Sequence, residues 1–129
     1  MRKLVEVQKA IVNENEILFI IGAQEPAEAI EAAGQMIADS DGGAFIYLLD
    51  TGTDFIYIQF KEPTWQAMGA AMKREGVPLL QWGDQIMPLA SFHEEFWMLL
   101  ENIEDNDNYG VPFRSAVEEA FREIFASRA

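Results

Sequence analysis

The sequence predicts an α+β fold: an antiparallel sheet built from N-terminal hairpins, packed by three helices that lie mostly in the C-terminal half. Two observations predict it. Short apolar runs separated by turns rich in Asn, Asp and Gly fill residues 3 to 60. Apolar residues then recur at helical spacing in three later stretches, each with its own start signal. Strands first and helices afterwards is the α+β order.

Residues 3 to 12 read as a half-buried strand, with Val5, Val7 and Ile11 on one side and Glu6 and Gln8 on the other. Asn13-Glu14-Asn15 supplies turn chemistry, and residues 16 to 21 make the partner strand of a hairpin. Residues 25 to 33 carry Pro26 near their start and Gly34 after their end, which suits a short surface helix. The stretch also sits between strands, so an irregular edge is equally open. Residues 35 to 38 read as a short strand closed by the Asp39-Ser40-Asp41-Gly42-Gly43 loop.

The strongest strands are 44 to 49 and 54 to 60, joined by Asp50-Thr51-Gly52-Thr53. Neither alternates cleanly. In the second, Phe55 and Tyr57 face one way while Ile56, Ile58 and Phe60 face the other. A strand apolar on both faces needs cover on both, from helices or from another subunit.

Pro63 and Thr64 start a helix that runs to about Glu75 and ends at Gly76, with Trp65, Met68 and Met72 as its buried stripe. Residues 77 to 82 and 85 to 89 form a further hairpin around Gly83-Asp84. Ser91 and Glu94 have the spacing of a capping box, in which each side chain satisfies an amide of the first helical turn. Phe92, Phe96, Leu99, Leu100 and Ile103 form the apolar face of that helix. The last helix starts at Pro112 and buries Phe113, Val117, Phe121, Ile124 and Phe125. A length of 129 residues, half of them apolar, fits a single domain over 1–129 with a core of its own.

The stretch Phe55-Ile56-Tyr57-Ile58 followed by Trp65-Gln66-Ala67-Met68, and the segment ENIEDNDNYG at 101 to 110 followed by an Ala-Val-Glu helix, resemble the YjbL-like uncharacterised family of bacilli. The resemblance covers most of the chain, more closely after Gly34. It implies a small cytoplasmic bacterial protein. That family has no assigned activity, so no functional residue is carried over.

Composition excludes several functions. Nine basic residues against 22 acidic ones, a net charge of −13, leave too few cations for a phosphate-binding face, so no nucleic acid is expected. Absence of cysteine removes disulfides, thiolate metal sites and thiol nucleophiles. Ile17 to Ile21, the longest early apolar run, falls far short of the ~20 residues of a membrane span. A soluble cytoplasmic protein that does not engage membranes is the expectation.

Three constellations invite chemistry. Asp105, Asp107 and Gly110 match positions 1, 3 and 6 of a calcium loop, with Asn108 between them. Tyr109 and Ala116 stand at positions 5 and 12, where oxygen donors are required, so a standard calcium loop is excluded. Asp105, Asp107 and Asn108 stay as weak metal candidates beside a plain solvated turn, and no cofactor is expected. His93, the only histidine, lies in the first turn of a helix, and none of Ser40, Ser91, Ser115 and Ser127 lies in a nucleophile elbow. A neutral surface histidine is expected. The carboxylate pairs Glu94-Glu95, Glu118-Glu119 and Asp39/Asp41 could serve as an acid–base pair, but in a chain with 22 acids solvated faces explain them all. Trp65, Trp82 and Trp97 suit a core before a ligand pocket.

The leading expectation is a non-enzymatic interaction or accessory module, acting as a homo-oligomer or with a protein partner. A second is an acidic inhibitor of immunity type that occupies a basic partner's site. A third is a carboxylate-based or divalent-metal-dependent enzyme. Whether a small-molecule ligand exists is not legible.

Overall fold

The computed structural model describes residues 3–127. Eight strands and four helices follow in the order β1 (Lys3–Glu6), β2 (Lys9–Val12), β3 (Ile17–Ile21), β4 (Glu31–Asp39), β5 (Ala44–Asp50), β6 (Phe55–Lys61), α1 (Trp65–Met72), β7 (Leu79–Trp82), β8 (Gln85–Pro88), α2 (Phe92–Ile103), α3 (Val111–Ala120) and α4 (Arg122–Ser127). The class is α+β. The strands form two four-stranded sheets rather than one, in the orders β1-β6-β5-β4 and β2-β3-β7-β8. Every hairpin is antiparallel, while the pairs β1–β6 and β3–β7 are parallel.

The strand expected over 3 to 12 breaks at Val7-Gln8, and consecutive amides show why. The Val7 N–H donates to the Gln59 carbonyl of the first sheet, at 2.9 Å. The next one, Gln8, donates to the Ile20 carbonyl of the second, at 2.8 Å. One extended segment thus passes from sheet to sheet. Asn13 holds the following turn, its Oδ1 accepting from the amides of Asn15 and Glu16.

Residues 25 to 33 form no helix. The chain entering this segment is tied to the second sheet instead. Trp82 Nε1 donates to the Ala23 carbonyl at 2.9 Å, and Gln85 Nε2 lies 3.4 Å from Glu25 Oε2. From Glu31 the chain is already strand, so β4 starts four residues before the expected 35 to 38. Gly34 lies within β4, at φ +69, where the register against β5 slips between Ala32 and Met36. It marks a bulge, not a helix end.

Helix α1 is shorter than expected: a 3-10 turn at Glu62–Thr64 leads in, and it stops at Met72. The last helix is broken at Phe121, which leaves α3 and α4.

One core takes side chains from both sheets and all four helices. Phe45 is its hub, with ring centroids 4.8 Å from Phe96, 5.4 Å from Trp65, 5.8 Å from Phe113 and 6.1 Å from Phe121. Phe19 of the second sheet meets Phe60 of the first edge-on at 5.0 Å, a favoured ring geometry.

Candidate functional site

The loop from Glu104 to Gly110 is a closed network. Asn106 Oδ1 accepts from the Asn108 amide at 3.0 Å, and its Nδ2 donates to the Asn102 carbonyl at 2.9 Å. Asp105 is left-handed at φ +57, and its amide donates to Glu118 Oε2 at 2.8 Å. Arg114 donates through Nη1 to Glu118 Oε1 at 3.0 Å. Its Nε lies 2.8 Å from Asp107 Oδ1, an ionic contact without hydrogen-bond geometry. Of the three metal candidates, Asp107 therefore faces a guanidinium, while Asp105 and Asn108 make their recorded contacts through backbone amides. Among the described residues no group of three or more His, Asp and Glu is placed to hold a metal ion.

His93 is half-buried rather than at the surface. Its Nε2 lies 2.9 Å from the Ala71 carbonyl and can only donate to that oxygen, which assigns the proton to this nitrogen. The carboxylate pairs are dispersed into structural contacts. Glu95 Oε1 accepts from the Met36 amide at 3.0 Å, Glu119 pairs with Arg122, and Asp39 Oδ1 accepts from the Gly42 amide. Trp65 and Trp82 are fully buried, and Trp97 packs against the core. Trp65 Nε1 donates to the Phe60 carbonyl.

Tyr47 anchors a polar cluster that spacing alone could not reveal. Its hydroxyl donates to the Ala90 carbonyl at 2.7 Å and accepts from the Gly34 amide at 3.2 Å. Burial raises the phenol above its ordinary value of 10.0. The Gly34 amide opposes that shift, and the Glu95 carboxylate adds to it. The expected capping box is absent. Ser91 is left-handed at φ +62 and caps nothing with its side chain, and Glu95, not Glu94, reaches out of the helix.

Several grooves open at the surface of the described residues, two of them well above 500 Å³. One, of about 650 Å³, lies between α1 and α4 over Gly69, Ala70 and Ala120. Its cations are engaged: Lys73 with Glu123, Arg122 with Glu119, and Arg74 with the Asn13 carbonyl at 2.6 Å. The hydrogen bond from Lys73 holds the Glu123 carboxyl below its ordinary value. The other, of about 590 Å³, runs beside β1.

The feature with the widest reach is the outer side of each sheet. The buried side chains of all four helices belong to the one core, and the outward-facing apolar residues of both sheets stand outside it. On the first sheet, register aligns Leu4, Tyr57 and Leu48 in one row and Glu6, Gln59, Ile46 and Ile37 in the next. Ile46 and Leu48 are buried yet stand outside the main core. Charge closes this side at both ends, with the Lys61–Glu6 ion pair and Asp39 at one and Asp50 and Glu31 at the other.

The second sheet differs. Its outer rows are Lys9–Ile20–Gln81–Ile86 and Ile11–Leu18–Leu79–Pro88. None of these eight residues is acidic in a chain with 22 acids, and six are apolar. Ile86 is 59 % exposed and Ile11 43 %. The unbroken apolar run Ile17 to Ile21, a strand apolar on both faces, is the sequence signal for this surface.

Residues 5–121 match the model of a family of unknown function, UPF0738. A UPF0738 protein of Lysinibacillus sphaericus is 36% identical over 126 residues, which cover 98% of this chain and 99% of that one. A relative from Bacillus velezensis is 34% identical, covering 97% and 99% of the two chains. YjbL of Bacillus subtilis is 33% identical, covering 94% and 99%. No solved structure matches this chain. A family model that spans most of the fold, with relatives matched nearly end to end, establishes that the chain belongs to the UPF0738 family of uncharacterised proteins.

Proposed function

We infer that this protein is a non-enzymatic interaction module, acting in the cytoplasm through the outer side of a sheet. The observation that carries this reading is the outer side of the second sheet, whose apolar rows stand outside the core and expose Ile11 and Ile86. The polar side chains support it from the other direction. Asp39, Glu95, Asp107, Glu118, Glu119 and His93 each bond to a backbone group or a cation, which leaves them engaged in holding the fold. An acid–base pair would instead require two carboxylates converging on one cleft in different environments. Among the described residues no helix is long and apolar enough to cross a membrane, which accords with the cytoplasmic reading.

Affinity purification from the native cell, followed by sizing of the eluate, tests the proposal. The expected result is a complex of defined stoichiometry, with a second protein or a second copy. A chain that elutes alone as a monomer would sink the reading.

A further inference from the structure

We propose that the outer side of the second sheet is a docking site for a basic amphipathic helix of a protein partner. This rests on the interaction-module reading and names its surface and the chemistry of its occupant. Two observations select a helix over a second copy of the chain.

The first is area. Four strands about 4.8 Å apart and about four residues long at ~3.4 Å each give a patch of roughly 19 by 14 Å, or ~270 Å². A stable pair of globular proteins buries about 800 Å² per partner, three times as much. A single helix about 10 Å wide and 15 residues long, rising ~1.5 Å per residue, spans the diagonal of the patch. Its apolar stripe would meet Ile11, Leu18, Ile20, Leu79 and Ile86, as amphipathic helices meet apolar surfaces generally.

The second is charge. Acids stand at both strand ends of the apolar floor, and Arg74, held on the Asn13 carbonyl, is the cation beside the first of these ends. Glu14 and Glu16 occupy the β2–β3 turn. Asp84 occupies the β7–β8 turn, with Glu25 against Gln85. Stacking two copies face to face would bring these rims together between two molecules of charge −13 each. A helix with Lys or Arg flanking its apolar stripe would meet the same rims favourably and be drawn in by the field of the whole molecule. Lys9, the single cation on the floor, stands at its corner on the edge strand, where its stem can lie along apolar surface with the ammonium in water.

The test uses the full chain and a fluorescent 15-residue peptide of Leu and Lys, with Leu on one helical face. A peptide of the same composition with no apolar face is the control. In anisotropy titrations the amphipathic peptide should bind at least tenfold more tightly than the control. Ile86→Gln and Leu18→Gln should each weaken it about tenfold or more. Phe55→Gln, on the outer side of the first sheet, should leave it within about twofold. Circular dichroism of each variant establishes that it is folded, and Ile86 is exposed enough to be replaced without disturbing the core.

Equal binding of both peptides would reduce the effect to net charge and overturn the proposal. So would equal losses from Phe55→Gln and Ile86→Gln, or no binding at all. Sizing separates this failure from that of the broader reading. A wild-type dimer that Ile86→Gln dissociates would assign the surface to a second copy, ending the helix proposal while the interaction reading stands. A monomer that binds neither peptide and brings no partner from the native cell would end both.

Discussion

Tyr47 shows how one hydroxyl can tie three segments together. It donates to Ala90 before α2 and accepts from Gly34 at the β4 bulge, while its own strand runs through the middle of the first sheet. Tyr47→Phe keeps the ring and removes both bonds. It leaves a backbone donor and an acceptor to find other partners, at an expected cost of about 1–2 kcal/mol measured by urea unfolding. The same substitution should change the alkaline limb of the stability profile. The folded phenol titrates above its unfolded value of 10.0 because it is buried. Below pH 10 both states hold the proton, and its contribution to stability is fully present. Above pH 10 the unfolded chain releases the proton first, so stability falls as pH rises through the folded value. The part of that fall due to Tyr47 should be missing in Tyr47→Phe, and an unchanged alkaline limb would contradict the assignment.

At the scale of elements, the start of α2 separates what spacing can show from what it cannot. Ser91 and Glu94 have the capping-box spacing, yet Ser91 turns left-handed so that Phe92 enters the core, and Glu95 satisfies the Met36 amide. Three substitutions test this. Ser91→Gly removes a left-handed conformation that costs an L residue roughly 1 kcal/mol and should raise stability by about 0.5–1 kcal/mol, where loss of a cap would lower it. Glu95→Ala should cost about 1–2 kcal/mol by stranding a strand amide, while Glu94→Ala should stay within ~0.5 kcal/mol. Thermal melts of the three variants decide between the two geometries. The rest of the fold divides along the same line. The hairpins at 9 to 21, 44 to 61 and 79 to 88 were legible because turn chemistry and apolar runs are local. Residues 25 to 33 carry helix signals as good as those at Pro112, but Trp82 and Gln85, some sixty residues away in sequence, decide their path. The passage from one sheet to the other at Val7-Gln8 has no local signature. Nor does the docking surface, since it exists only once β2, β3, β7 and β8 are in register.

For the whole molecule, the charge of −13 acts on stability and on binding with opposite signs. The ion pairs Lys61–Glu6 and Arg122–Glu119 are exposed and contribute about 0–1 kcal/mol each. With 22 acids against nine bases, most carboxylates have no cation to pair with, so the balance at low salt is self-repulsion within the folded chain. The Debye length shrinks from about 30 Å at 0.01 M to about 10 Å at 0.1 M and 3 Å at 1 M, which screens that repulsion more than it weakens a few short contacts. Raising sodium chloride from 10 mM to 500 mM should therefore raise the melting temperature by a few degrees, read by circular dichroism. A fall would mean that ion pairs outweigh the repulsion. The same titration should weaken binding of a basic helix to the second sheet, because the acids at Glu14, Glu16 and Asp84 and the general field are screened together. Apolar contact with Ile86 and Leu18 is not screened, so affinity should level off at high salt instead of vanishing. That plateau should be absent in Ile86→Gln, and its persistence there would place the apolar contact elsewhere on the molecule.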